Sequence, residues 1–206
     1  MIKAFLLATV LALVVIPPVH AYEFEDGSVE VAFTTRSIST ALTQGGNTRG
    51  PALAVMKDDT VLLGGGRTGG ELLSFNKDGK TLRKLGSFIP SNRRIVDSRF
   101  AINDIAVLSE SSSTAKLLIS YPRLGAGRSC VEIAVDELVY DRKKQKATFV
   151  SNWFVTKPCV PISAVQHSAG RFELIDKKSV YVTFGDLGYS LISDRAKRGD
   201  LGSIFK

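Results

Sequence analysis

Three stretches of this chain share one design, and that repetition constrains the fold more than any other feature. Each is an apolar run, a short polar turn and a second run rich in β-formers. The first joins Leu53 to Met56 through Lys57-Asp58-Asp59-Thr60 to Val61 to Leu63. The second joins Ile105 to Leu108 through Ser109 to Ala115 to Lys116 to Ser120, and the third joins Phe172 to Ile175 through Asp176-Lys177-Lys178-Ser179 to Val180 to Phe184. Apolar runs of strand length bounded by turn-forming residues read as β-hairpins. The runs are continuous rather than alternating, which predicts strands buried on both faces.

Further strands fill the intervals. Glu71 to Phe75 precedes the turn Asn76-Lys77-Asp78-Gly79-Lys80 and the strand Thr81 to Leu85, while Cys130 to Tyr140 and Ala147 to Phe154 follow the second hairpin. The hairpins start 52 and 67 positions apart, at Leu53, Ile105 and Phe172. Four strands per unit at a spacing of roughly 50 residues is the signature of a β-propeller blade. The expected fold is therefore all-β, with about two and two-thirds blades over residues 50–206, the third ending in a strand from Asp200 to Lys206. Propellers close with about four to eight blades, so the expectation is a half-ring completed by further sequence or by a partner chain. The loop Gly64-Gly65-Gly66-Arg67-Thr68-Gly69-Gly70 evokes a phosphate cradle, but it lacks the Lys-Ser/Thr ending and a following helix, and it reads as a blade loop.

The N-terminus has the layout of a signal peptide over residues 1–21. Lys3 supplies a positive charge, Ala4 to Ile16 is uncharged, and Pro17-Pro18 breaks the run before Ala21. The mature chain is then expected to begin near Tyr22, with residues 22–49 as a lead-in strand region, in the periplasm or outside the cell. An uncleaved N-terminal anchor is the alternative. No later segment has the length of a membrane span. Export into an oxidising compartment favours a bridge between Cys130 and Cys159. Two unrelated buried thiols are the other reading, since sequence does not show whether they come within bonding reach. Neither Cys-x-x-Cys nor a Cys/His cluster is present, so no zinc site is expected.

Loss of the leader removes Lys3 and no acid, leaving 26 basic against 20 acidic residues, a net charge of +6. The basic residues are scattered through predicted turns, as at Arg83-Lys84, Arg93-Arg94 and Arg142-Lys143-Lys144, so a solvated rim is expected rather than a nucleic-acid footprint. Candidate chemistry gathers near the C-terminal hairpin. His167 is the only histidine outside the leader, and imidazole is the side chain best suited to moving a proton near neutral pH. Asp186 returns at the far end of the strand that follows, although Asp beside Gly is also a common turn former. Trp153, Phe149 and Phe154 read as blade packing, and Glu173 as solvent-facing.

The strings His167-Ser168-Ala169-Gly170-Arg171-Phe172, Val180 to Gly188 and Leu201-Gly202-Ser203-Ile204-Phe205-Lys206 resemble the soluble quinoprotein sugar dehydrogenases, the glucose/sorbosone or aldose sugar dehydrogenase family. The likeness runs from about Gly50 to the end and is sharp from His167 to Gly188. It implies a six-bladed propeller that holds pyrroloquinoline quinone over its central opening, with calcium in the complete ring. It implies that His167 is the general base taking the proton of a sugar or polyol hydroxyl while hydride passes to the quinone. Asp186 is then the carboxylate that orients the imidazole, Arg171 braces the loop, and Arg99 and Gln166 lie on the substrate side.

This chain departs from the family pattern at three of these places. Gln166 stands where an acid often precedes the histidine, Ala169 replaces a glycine, and Arg99 stands where a glutamine helps line the pocket. The residues that grip the quinone and calcium belong to later blades in the family, so the chain as it stands is expected to be inactive alone. The rival expectation is a non-catalytic binding or structural module, or a half-ring that pairs with a partner chain.

Overall fold

The computed structural model describes residues 20–23, 30–33, 52–65, 68–76, 82–94, 99–157, 159–162, 170–176, 179–184 and 204–205. Among them the chain is all-β and antiparallel, with almost no helix. It divides into two compact units, Met1–Ser37 and Ile38–Lys206. In the first, β1 (His20–Glu23) pairs with β2 (Glu30–Phe33) in a two-stranded hairpin. β1 crosses the bond between Ala21 and Tyr22 where leader cleavage is expected.

The second unit is built of three meanders taken in chain order. β3 (Ala52–Val55), β4 (Val61–Gly65), β5 (Glu71–Phe75) and β6 (Arg83–Ser87) form the first sheet. β7 (Asp104–Glu110), β8 (Thr114–Leu124), β9 (Cys130–Asp141) and β10 (Lys146–Val155) form the second, and β11 (Val160–Pro161) pairs with the start of β9 beyond the end of β10. β12 (Arg171–Leu174), β13 (Val180–Thr183) and β14 (Ile204–Phe205) form the third. Every strand of each meander lies beside its chain neighbour. Local turn chemistry closes the hairpins: Asp59 takes a left-handed φ of 61° between β3 and β4, and Asp176 Oδ1 accepts the Ser179 amide at 2.7 Å between β12 and β13.

The second sheet has apolar residues on both faces, and each face contributes to a different cluster. One cluster joins Leu62, Leu72 and Leu85 of the first sheet to Leu117, Ile119, Leu138 and Tyr140 of the second. The other joins Leu118, Ile133 and Val135 of the second sheet to Val180 and Val182 of the third. Leu117 to Pro122 and Ile133 to Leu138 are consequently buried without a break, whereas the first and third hairpins, expected to be buried on both faces, are not: β3 and β13 lie in outer sheets covered on one face and leave Leu53, Val55 and Tyr181 exposed. Edge strand β10 behaves differently. Its register slips between Phe149 and Ser151 and again between Asn152 and Phe154, and such bulges twist an edge away from further pairing. Only Phe154 packs as the sequence suggested, stacking on Phe184 with ring centroids 5.5 Å apart. Phe149 and Trp153, expected to pack between blades, are instead 51% and 41% exposed, because β10 is the edge of its sheet and no further strand pairs beyond it.

The first and second sheets are tied at one end by their charged turns. Arg142, in the β9–β10 turn, bonds Asp58 of the β3–β4 turn and Glu110 at the end of β7, the latter at 2.7 Å, and its Nε donates to the Ser111 carbonyl at 3.1 Å. Glu110 also accepts the Lys57 amide at 3.1 Å. Removing the guanidinium would strand a largely buried Glu110 carboxylate. Because Asp58 is half exposed, Arg142→Ala is expected to cost only about 2 kcal/mol. A melting temperature about 5 °C lower would register that loss, and no change would show the clamp to be ornamental.

Candidate functional site

The antiparallel meanders sort the chain's features to two ends. Charged turns, including those that carry Asp58, Ser111 and Arg142, lie at one. At the other lie the Gly-rich loop between β4 and β5, the segment Arg99–Asn103 before β7, the β8–β9 loop, and the chain entering β12. The first and second sheets approach closely there. The Ile102 amide donates to the Gly69 carbonyl at 3.0 Å, and a side chain on Gly69, whose φ is +77°, would lie 2.5 Å from the Phe100 carbonyl oxygen. Glycine at that position answers both to the backbone conformation and to the close approach. Arg99 begins this docked segment, five residues before β7.

The third sheet meets the second at the same end through polar bonds. Asp104, the first residue of β7, is 7% exposed, and its Oδ2 accepts the Phe172 amide at 2.8 Å. Its Oδ1 lies 3.4 Å from Arg171 Nη1, whose own side chain is 74% exposed. Ser120, paired with Asp104 across the ladder and fully buried, donates its hydroxyl to the Gly170 carbonyl, while its own carbonyl accepts the Asn103 amide at 2.7 Å. Gly170 has φ +127°, and a Cβ there would fall 2.8 Å from Ser120 Oγ. Gly170→Ala combines a disfavoured backbone with that overlap, so we expect a loss of about 2 kcal/mol. Chemical denaturation would measure it, and a neutral result would show the chain to be differently placed at Gly170.

Arg171 pairs with Thr183 in the ladder between β12 and β13. The start of β12, four residues after His167 in sequence, and the end of β13, three residues before Asp186, therefore lie side by side at one end of the third sheet. His167, Gln166 and Asp186 themselves lie outside the described residues. Arg171 and Arg99 are described, and the structure joins their two segments through Asp104, which follows Arg99 in the chain and bonds Arg171. Cys130 and Cys159 form a disulfide, with Cα atoms 5.6 Å apart. The bridge ties the chain just before β11 to the start of β9, and Gly125 packs against both sulfurs, where a Cβ would lie 2.7 and 2.8 Å away.

Asp104 and Ser120 escaped the sequence reading. An aspartate before an apolar run resembles an ordinary turn residue, and only its meeting with β12 gives it another role. Beneath this end, on the side of the second sheet that faces the first, the Tyr121 hydroxyl donates to Asp136 Oδ2, and Asn152 Nδ2 donates to Asp136 Oδ1 at 2.6 Å. Burial, then the charge of Asp136 and the hydrogen bond to it, push the Tyr121 phenol well above its ordinary value. This phenol keeps its proton throughout the neutral range and serves the packing.

No group of three or more His, Cys, Asp or Glu side chains among the described residues is placed to hold a metal ion. The guanidinium groups of Arg93, Arg123 and Arg142 are engaged by Glu132, Asp58 and Glu110. No protein-family model and no characterised protein sequence matches the chain.

Proposed function

We propose that the second unit is a run of successive β-propeller blades of the soluble quinoprotein sugar dehydrogenase kind. It would supply the sugar side of an active site whose ring is completed by further blades. The observation that carries this reading is the Arg171–Thr183 register, which sets the start of β12 beside the end of β13. Meanders of four, four and three strands packed face to face in chain order support it. In this reading the imidazole of His167 accepts the proton of a sugar or polyol hydroxyl, and Asp186 holds the tautomer and stabilises the cation that forms. Bound pyrroloquinoline quinone would supply the oxidant. Its grip and that of calcium would come from the remaining blades.

Dye reduction with pyrroloquinoline quinone, calcium and a panel of aldoses tests the reading. We expect no turnover from the 206-residue chain by itself and turnover when blades that close the ring are supplied. Activity in the short chain would overturn the half-ring, while silence from a closed ring would favour a sugar-binding module without catalysis. The same reading places the protein in the periplasm or outside the cell. Intact-mass measurement should find a chain starting at Tyr22, and retention of Met1 would overturn leader cleavage and favour the uncleaved anchor.

A further inference from the structure

The two ends of the second unit differ in the charge they carry. The turn end mixes both signs, with Asp58, Asp59, Glu110 and Asp141 set among its lysines and Arg142. The loop end carries Arg93, Arg94, Arg99, Arg123, Arg128 and Arg171. Against them the described acids there are Asp104 and Glu132, together with Glu71, which Lys84 engages at 2.6 Å.

Four of these arginines gather at one corner. Arg123 and Glu132 face each other across the β8–β9 ladder, and Glu132 Oε1 accepts both Arg123 Nε at 2.8 Å and Arg93 Nη2 at 2.6 Å. Arg93 Nε donates to the Leu124 carbonyl at 2.8 Å, which ties the connection between β6 and β7 to the base of the β8–β9 loop. Its neighbour Arg94 donates to the Thr68 carbonyl of the Gly-rich loop. Arg128 stands exposed in the β8–β9 loop with φ 58°, its amide bonded to the Gly125 carbonyl at 2.8 Å. The disulfide, with Gly125 packed on its sulfurs, braces that loop.

One carboxylate does not saturate this set. Each guanidinium presents five N–H donors in a planar fork, and the bonds from Arg93 and Arg123 to Glu132 end on a single oxygen. Arg94 gives its bond to a carbonyl, which carries no charge. Asp136 lies further in and meets Arg123 through the Tyr121 hydroxyl. With both carboxylates counted, the four arginines still outnumber the acids of the corner among the described residues. Arginine forks match the oxygens of a phosphate, and a cluster already held in place binds one at little ordering cost. A monoanion would only repeat what Glu132 supplies, whereas a dianion matches the excess charge. We propose that this corner is a binding site for a phosphate group, gripped by Arg93, Arg94, Arg123 and Arg128. Glu132 converges the Arg93 and Arg123 forks on one point and opposes the charge of the ligand. The site is independent of sugar oxidation, and a chain that turns over no sugar would still bind phosphate here.

Inorganic phosphate titrated against chloride at constant ionic strength, with the arginine Nε–H signals followed by NMR, tests the site. Saturable shifts are expected at Arg93, Arg94, Arg123 and Arg128 and none at Arg83 or Arg142. A parallel titration with glucose phosphate separates the sources: tighter binding than inorganic phosphate would assign the site to a phosphorylated sugar, and equal or weaker binding to free phosphate. Arg128→Gln, at an exposed position, should weaken binding about tenfold without lowering the melting temperature. Glu132→Gln keeps an oxygen for both guanidinium groups and removes the opposing charge, so it should tighten binding roughly fivefold. Arginines that served only to hold the β6–β7 connection would bind no better after that change. The absence of saturable shifts, or equal shifts at every arginine including Arg142, would overturn the site, as would Glu132→Gln binding phosphate no more tightly than the parent. Should Glu132→Gln fail to fold, Arg128→Gln decides, and unchanged affinity there would overturn the proposal.

Discussion

Asp136→Ala should destabilise the protein by about 2–3 kcal/mol, the largest single-residue effect we expect. Asp136 is 2% exposed and Tyr121 is 1% exposed. The carboxylate takes the Tyr121 hydroxyl and the Asn152 amide; its removal strands the buried Tyr121 donor, which costs about 1–3 kcal/mol, while Asn152 is exposed and keeps the Val135 and Phe154 carbonyls as acceptors. Equilibrium urea unfolding should show a lower midpoint with an unchanged slope. A loss under about 1 kcal/mol would mean that water or another partner already satisfies this donor. The double variant Tyr121→Phe/Asp136→Ala should cost less than the sum of the two single changes, because it removes a donor together with its acceptor.

The same triad gives the protein an alkaline weakness whose sign follows from the direction of the shift. The Tyr121 phenol is raised above its ordinary value of 10.0, by burial first and then by Asp136. Burial raises Tyr140 as well. A raised acid contributes stability that is whole below pH 10 and is lost as pH climbs toward the folded value, since the unfolded phenol ionises first. Above pH 10 each such tyrosine should remove about 1.4 kcal/mol per pH unit. Tyr121→Phe should flatten part of that slope.

Loss of the Cys130–Cys159 bridge is the second large effect. The cysteines lie 29 residues apart in sequence, and a closed loop of that length is worth about 3–4 kcal/mol in the chain-entropy account. The Cys130→Ser/Cys159→Ser chain avoids a stray thiol and should melt about 10 °C lower. Reductant should lower the melting temperature of the parent by a similar amount and leave the double variant unmoved. A parent indifferent to reductant would show that pairing of β11 with β9 holds this corner without the bond. Because Gly125 rests against both sulfurs, exchange should rise first at the Gly125 and Cys130 amides.

Two-sided burial was legible only in part. β9 was expected over Cys130 to Tyr140 and spans Cys130–Asp141, whereas β3 and β13, also expected to be buried on both faces, alternate and leave Leu53, Val55 and Tyr181 exposed. β6 was expected over Thr81 to Leu85 and lies at Arg83–Ser87. Its ladder with β5 slips between Leu72 and Leu73, and neither the slip nor the exposed Arg83 and Lys84 leaves an apolar period to read. Arg171 could be singled out from its neighbours, whereas Asp104 could not. The Asp104 partner Phe172 lies 68 residues away, and no local pattern announces a contact of that range.

By itself the sequence determined the antiparallel all-β class and the order of the meanders, because burial and turn chemistry act over a few residues and leave their mark there. Tertiary structure alone decided which faces meet, that Arg142 bridges two sheets, that Asp136 serves both Tyr121 and Asn152, and that Asp104 and Ser120 hold the entry to β12. Those are hydrogen bonds and ion pairs between residues distant in the chain. Their partners are chosen by how the sheets pack, which no local window of residues records.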